Sequence, residues 1–258
     1  METKVISIVN QKGGVGKTTT VLNVSASLAK VGKKVLAIDF DPQGNMSSGF
    51  GIEVRKGEIK TIYDVLSGTA DLASSIVSTR IDNLEILAAD MNLAGFEVEM
   101  AEVKKREYVL SEMLGKIKGR YDYVIVDCPP SLGLLTINSL VASNSILIPL
   151  QCEFFALEGL SHLMEVAERI KTNFNGDLHI DGILLTMYDR RNKLTEQVEN
   201  DVRTCLGELV YGNVIPRNVK LAESTSFGVP TVIYDPSCSG SFAYISFVEE
   251  MIRKHDRK

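Results

Sequence analysis

Lysines, glycines and threonines are crowded into Lys12-Gly13-Gly14-Val15-Gly16-Lys17-Thr18-Thr19, directly after the apolar run Val5–Val9. Such a loop binds phosphate. Glycines let backbone N–H groups turn toward an anion, and the N-terminus of a following helix adds its own N–H groups and partial positive charge. Lys17 is placed to reach the β- and γ-phosphates of a nucleotide, and the Thr18 hydroxyl to ligate Mg²⁺. The loop departs from the usual G-x-x-x-x-G-K-[ST] pattern, because Gln11 stands at the first glycine position and Lys12 adds a second lysine.

Two further segments carry carboxylates. The run Val35–Ile38 ends in Asp39-Phe40-Asp41-Pro42-Gln43-Gly44-Asn45. At the carboxyl end of a strand, where α/β sheets open to their ligands, one aspartate can hold Mg²⁺ or its waters and the other can orient a nucleophilic water. Asp-Pro and Gln-Gly are also turn formers, so this segment alone reads equally well as an ordinary strand-to-loop turn. The apolar run Tyr123–Val126 ends in Asp127-Cys128-Pro129-Pro130. A hydrophobic strand closing on aspartate is the Walker B arrangement, in which Asp127 holds Mg²⁺ directly or through water.

The elements that position these groups alternate along the chain. Strand-like runs lie at Val5–Val9, Val35–Ile38, Leu84–Leu87, Tyr123–Val126, Ser145–Ile148 and Ile183–Thr186, and they are apolar throughout, as in strands covered on both faces. Helical periodicity fits Thr18–Val31, Glu102–Lys118, Ala156–Thr172, Thr195–Leu206 and Ser239–Lys254. This alternation predicts an α/β fold: a doubly wound, mainly parallel sheet flanked by helices, with ligands at the carboxyl ends of the strands. No repeat or Pro/Ser/Gly-rich linker divides residues 1–258, which read as a single domain. Residues 44–60, with four glycines, read as a long mobile loop inside it, and Met46 and Met91 as loop residues without a role.

Composition narrows the function classes. The 258 residues are 45% hydrophobic and 24% charged, and they contain no Trp. That profile fits a globular chain able to bury a large core without disulfides or structural metal. The formal net charge of −5 excludes a basic nucleic-acid coat protein, though not a local basic patch. Cys128, Cys152, Cys205 and Cys238 have neither zinc-ligand nor disulfide-scaffold spacing and read as scattered buried thiols of a reduced compartment. His162, His179 and His255 stand apart, without a partner at ligand spacing, and read as structural. The N-terminal apolar run is too short for a signal peptide, and no stretch is long enough to span a bilayer, so the expected location is cytoplasmic.

Taken together, Lys12–Thr19, Asp39–Asn45 and Asp127-Cys128-Pro129-Pro130-Ser131-Leu132-Gly133 resemble the deviant Walker A ATPases. Within these P-loop NTPases the chain is most similar to the ParA/Soj chromosome- and plasmid-partitioning family. The resemblance continues through Gln151–Gly159, Leu185–Asp189 and Val214–Asn218, and so spans nearly the whole chain. With no long extension before the first strand, the chain resembles the short type that lacks an operator-binding helix-turn-helix domain.

The resemblance implies a slow ATP hydrolase that forms a homodimer with ATP and Mg²⁺. That dimer would bind double-stranded DNA non-specifically and associate with the nucleoid. A centromere-binding partner of the ParB/Spo0J type would stimulate hydrolysis. Lys12 is then the signature lysine, reaching the nucleotide of the partner subunit; Gly13, Gly14, Val15, Gly16, Lys17, Thr18 and Thr19 hold the phosphates. Asp41 polarises the attacking water, Asp39 lies near the Mg²⁺ shell, and Pro216 and Asn218 border the adenine.

Basic residues matching Arg191 and Lys220 contribute to DNA binding in the family. Here Arg190, Arg191 and Lys193 cluster after a strand end, and Arg217 joins Lys220 in a second segment. Taken alone, such a charge run is usually a solvated loop. The alternative reading is a MinD-like membrane-cycling ATPase, which needs a C-terminal amphipathic helix. The ending Phe242–Lys258 is amphipathic and basic, but Glu249 and Glu250 interrupt it and it reads better as a helix docked on the sheet. A metabolic P-loop enzyme or iron–sulfur carrier is a third possibility, and the cysteine spacing disfavours the carrier.

Overall fold

The computed structural model describes residues 3–54 and 58–256. Seven strands are β1 (Lys4–Ile8), β2 (Val35–Asp39), β3 (Ile76–Ser78), β4 (Leu84–Leu87), β5 (Tyr123–Asp127), β6 (Ser145–Gln151) and β7 (His179–Thr186). They form one sheet in the order β3-β4-β2-β5-β1-β6-β7, parallel throughout except for the β3–β4 pair. Helices α1 (Lys17–Lys30), α2 (Asn45–Gly49), α3 (Ile62–Leu66), α4 (Leu72–Ser75), α5 (Phe96–Glu99) and α6 (Val109–Gly115) belong to the first half. They are followed by α7 (Leu134–Ala142), α8 (Ala156–Asn173), α9 (Lys193–Leu206), α10 (Val219–Ser226), α11 (Thr231–Tyr234) and α12 (Ser239–His255).

The central strands β2 and β5 are buried at every position, which is why their sequences are apolar without alternation. Two apolar cores lie on the two faces. One gathers Leu36, Ile38, Val124 and Val126 with Leu110, Leu135, Leu160 and Leu163 of α6, α7 and α8. The other gathers Ile6, Ile8 and Ala37 with Leu22, Leu28, Phe247 and Met251 of α1 and α12. Burying one such side chain stabilises the fold by roughly 1.5–3 kcal/mol. Helix α1 stops at Gly32, whose φ of 82° permits the Lys33 N–H to reach back to the Leu28 carbonyl at 3.1 Å.

Several expectations are corrected. The helix expected over Glu102–Lys118 forms only at Val109–Gly115, preceded by a 3₁₀ turn. Leu110, Met113 and Leu114 are buried there, whereas residues 102–105 are exposed, so no apolar contact offsets the cost of ordering an earlier turn. Residues 44–60 are not simply a loop: α2 buries Met46 completely, while Met91 is exposed; residues 55–57 of that stretch lie outside the described residues. Helix α7 went unread because its Thr136, Asn138 and Ser139 are polar yet buried. The Asn138 side chain accepts from the Leu110 N–H at 3.2 Å and donates to the Arg106 carbonyl at 2.9 Å. Of the four cysteines, Cys128 and Cys152 are buried, Cys238 is partly so, and Cys205 is exposed.

Strand β7 begins four residues before the expected Ile183 because Asp181, fully buried on it, has its charge met by distant groups. It accepts from Tyr211 Oη at 2.6 Å and lies 3.0 Å from His255 Nε2. Burial opposes ionisation, but His255 and Tyr211 outweigh it and hold the carboxyl below its ordinary range. A depressed carboxyl contributes stability above its unfolded value and loses it as pH falls through the folded one. Breaking a buried pair costs about 3 kcal/mol or more. Asp181→Asn is therefore expected to lower the thermal midpoint at neutral pH by roughly 6–12 °C. The deficit should shrink below pH ~4, the ordinary carboxyl value, and calorimetry across pH checks both points.

Candidate nucleotide site

The phosphate loop joins the carboxyl end of β1 to α1. Gly14 and Gly16 take φ of 75° and 88°, the left-handed region that a side chain disfavours. Gly16 is the N-cap of α1, with no side-chain cap and no acidic residue in the first turn, so the helix start faces outward as an anion site. Asn10 fixes the loop entrance by donating to the Pro149 carbonyl at 2.8 Å and accepting from the Lys12 N–H at 3.0 Å. Thr186, at the end of β7, donates to the Val15 carbonyl at 2.8 Å and ties the loop to the far side of the sheet.

Lys17 is 7% exposed and donates to the Lys12 carbonyl at 3.1 Å, closing the loop on itself. Burial lowers its pKa, partly opposed by the charge of Asp127. A desolvated ammonium with one neutral acceptor is poised to exchange that carbonyl for phosphate oxygens.

The carboxylates come together because β2 and β5 are neighbours in register, Asp39 opposite Asp127. Asp39 is satisfied: its Oδ2 accepts from the Ser47 N–H at 2.8 Å and from Ser47 Oγ at 2.7 Å. Burial still pushes its pKa up to about 6. Asp127 is different. It is fully buried, and neither carboxylate oxygen holds a hydrogen bond, although Thr18 and Lys17 are close enough to favour its charged form. Burial, and then the charge of Asp39, raise it well above the ordinary carboxyl range. An orphaned buried carboxylate beside a hydroxyl and a phosphate loop has the donor chemistry for a divalent cation. Asp41 lies just outside this pair at 8% exposure, in a turn where its Oδ1 accepts from the Gln43 N–H at 3.0 Å.

On one side of the loop a cavity of about 390 Å³ is lined by Gly16 and Thr19 together with Pro216, Asn218, Met187 and Tyr244. Its size and apolar walls suit a nucleobase. The Asn218 side chain is occupied locally, capping α10 through the Lys220 N–H at 2.8 Å and donating to Ser239 Oγ at 2.8 Å. Asn218 thus lines the cavity with its side chain held by these two bonds.

Lys12 does not line that cavity. Its ammonium is ion-paired with Glu153, and both side chains are about half exposed. Glu153 went unread as a site residue, because an isolated glutamate after a strand carries no signal until the fold places it opposite the loop. Ser47 and Thr186 were missed for the same reason.

The basic residues divide. Arg190, Arg191 and Arg217 border one open groove with Tyr188 and Pro216, and Lys193 begins the adjacent α9. The groove shares Pro216 and Arg217 with the base cavity. Lys220 turns aside, bonding Glu223 at 2.8 Å and lying 5.7 Å from the Tyr234 ring centroid.

A phosphate loop with an extra lysine, an orphaned aspartate at the end of the neighbouring strand and a seven-stranded doubly wound sheet define a deviant Walker A P-loop NTPase. A family model described as an AAA domain matches residues 3–180. The chromosome partitioning protein ParA of Caulobacter vibrioides is 49% identical, the match covering 99% of this chain and 96% of that one. The sporulation initiation inhibitor protein Soj of Bacillus subtilis is 48% identical, covering 96% and 98%. This chain belongs to the ParA/Soj family. Among solved structures, a protein of Mycobacterium smegmatis described as cobyrinic acid a,c-diamide synthase, with bound ADP and magnesium, is 34% identical. It superposes with a TM-score of 0.86 over 98% of this chain and 96% of that one. The septum site-determining protein MinD of Pyrococcus horikoshii, complexed with Mg-ADP, is 30% identical with a TM-score of 0.79, covering 96% and 95%.

Proposed function

We propose that this chain is a slow DNA-segregation ATPase that dimerises with ATP and, as a dimer, holds DNA non-specifically. A ParB/Spo0J-type partner then stimulates hydrolysis and release. The observation that carries this reading is Lys12: a second lysine inside the phosphate loop, half exposed and ion-paired with Glu153 outside the base cavity, whereas Lys17 is buried. A cation so placed serves the nucleotide of a second copy, which makes hydrolysis conditional on assembly.

Lys17 and the loop N–H groups cradle the phosphates, Thr19 and the Pro216–Asn218 wall enclose the base, and Asp41 orients the attacking water. Asp127 and Thr18 hold Mg²⁺, which neutralises charge on the β- and γ-phosphates. Arg190, Arg191, Lys193, Arg217 and Lys220 supply the DNA contact, doubled when two copies join. The protein is then cytoplasmic and, with ATP, on the nucleoid.

The MinD-like membrane reading is the alternative, and α12 weighs against it. Tyr244, Phe247, Val248 and Met251 of that helix are buried in the core beside α1, so its apolar face is already used. No helix among the described residues is long and apolar enough to cross a membrane.

A salt titration of DNA retention with ATP, ADP and no nucleotide tests the proposal. Retention is expected with ATP only, falling steeply with salt. Asp41→Ala is expected to stay dimeric and DNA-bound in ATP with hydrolysis reduced about 100-fold or more, the scale of losing one positioned catalytic group. DNA retention in no state, with ATP-dependent pelleting on anionic liposomes, would replace this reading with the membrane one.

A further inference from the structure

Helix α7 begins without a cap of its own. Its N-cap is Gly133, which has no side chain to accept from the first free N–H groups, a task usually given to Ser, Thr, Asp or Asn. The acceptor comes from α5 instead: Glu97 Oε1 accepts from the Leu135 N–H at 3.3 Å. A Cβ on Gly133 would stand 2.4 Å from that same oxygen, so glycine here leaves room for the carboxylate. Residues 128–133, which Glu97 thereby closes off, form the loop that leaves β5 just after Asp127, the buried carboxylate without a hydrogen bond. The chain just before Glu97 reaches the other carboxylate strand. Ala89 donates its N–H to Ser47 Oγ at 3.1 Å, Ser47 in turn donates to Asp39, and Gln43, two residues beyond Asp41, donates to Met91 Sδ at 3.7 Å. Residues 89–97 thus touch the segments that follow both β2 and β5, at the end of the sheet where the phosphate loop leaves β1.

We infer that Glu97 is a positioning residue of the nucleotide site: by holding the start of α7 it fixes the far end of the loop after Asp127 and keeps that carboxylate ready for Mg²⁺. The inference rests on the reading that Asp127 and Thr18 hold the cation, and adds to it the residue that keeps the loop in place. On the near side Asp127 is anchored by β5, paired with β1 and β2. With Glu97 bonded, both ends of the loop are fixed, and Pro129 and Pro130 stiffen what lies between. Without it the loop must be ordered when the cation arrives, and that cost is subtracted from binding. Groups that bond directly to a metal ligand change metal affinity by about 10–100-fold, and Glu97, acting through a loop, should change it less. Glu97 does not line the base cavity, so nucleotide binding without metal serves as the control.

Titration with a fluorescent ADP analogue, in Mg²⁺ and in EDTA, tests this. Glu97→Ala is expected to weaken binding about fivefold in Mg²⁺ and by less than a factor of about two in EDTA. Glu97→Gln should restore the wild-type ratio, because its amide oxygen still accepts from the Leu135 N–H. Gly133→Ala displaces the Glu97 side chain from the other side of the contact. It should reproduce the Glu97→Ala loss, and the double variant should lose no more than either alone. Equal losses with and without Mg²⁺ would overturn the inference, since a role in stability alone moves both affinities together. So would an unchanged Mg²⁺ ratio in Glu97→Ala, a loss that Glu97→Gln does not restore, or additive losses in the double variant. Thermal midpoints check folding, and the two Glu97 variants decide the matter even if Gly133→Ala fails to fold. If the wild type binds the analogue no better in Mg²⁺ than in EDTA, the assignment of Asp127 to the cation falls, and this inference with it.

Discussion

Lys17→Ala is expected to abolish nucleotide binding, whereas Lys12→Ala keeps it and loses hydrolysis. The two lysines sit five residues apart in one loop, yet the fold gives them opposite surroundings. Lys17 is buried against the loop and bonded to the Lys12 carbonyl, with its pKa lowered by desolvation. Its charge is worth most where water is excluded, so removing it should cost at least about 100-fold in ATP affinity. Lys12 is half exposed and paired with Glu153, and it does not line the cavity beside Gly16 and Thr19. Its loss should leave affinity within about threefold and cut turnover about 1000-fold, on the scale of a cationic finger supplied in trans. Fluorescent-nucleotide titration and phosphate release separate the two outcomes. Equal losses of affinity in both variants would remove the case for a lysine that works across copies.

The Arg190→Glu/Lys193→Glu double variant should lose DNA retention by at least about 100-fold while binding ATP normally. Each reversal replaces an attraction to phosphate with a repulsion, and two copies double the change. Both residues are exposed and neither lines the base cavity, so nucleotide affinity is a clean control. Electrophoretic mobility shift with ATP, at several salt concentrations, reads the result. Undiminished retention would remove the groove as the DNA site and leave the net charge of −5 as the better guide. That charge repels DNA on average, so under the proposed reading a small patch doubled by dimerisation would make attachment conditional on nucleotide state.

Most of the sheet could be read from composition and spacing. The strands β1, β2, β4 and β5 are short and apolar on both faces, and each was placed within a residue at either end. What escaped were elements whose polar residues are buried on partners far along the chain. Helix α7 hides Asn138 against Arg106 and Leu110, and β7 hides Asp181 against Tyr211 and His255. Local periodicity cannot register a hydrogen bond that closes over dozens of residues. The short α2 was missed because its role is to bring Ser47 onto Asp39, a purpose invisible until β2 is in place.

The phosphate loop is local chemistry, and the sequence by itself determined it. Glycines with free backbone N–H groups, followed by Lys17 and Thr18 at a helix start, bind anions wherever such a strand–loop–helix occurs. Tertiary structure alone decided how charges pair. It set Asp127 opposite Asp39 and left its oxygens unbonded; it turned Lys12 toward Glu153 and fastened Arg191 to Asp189. Residue type fixes whether a group is charged, but the strength and direction of that charge depend on distance and on the exclusion of water.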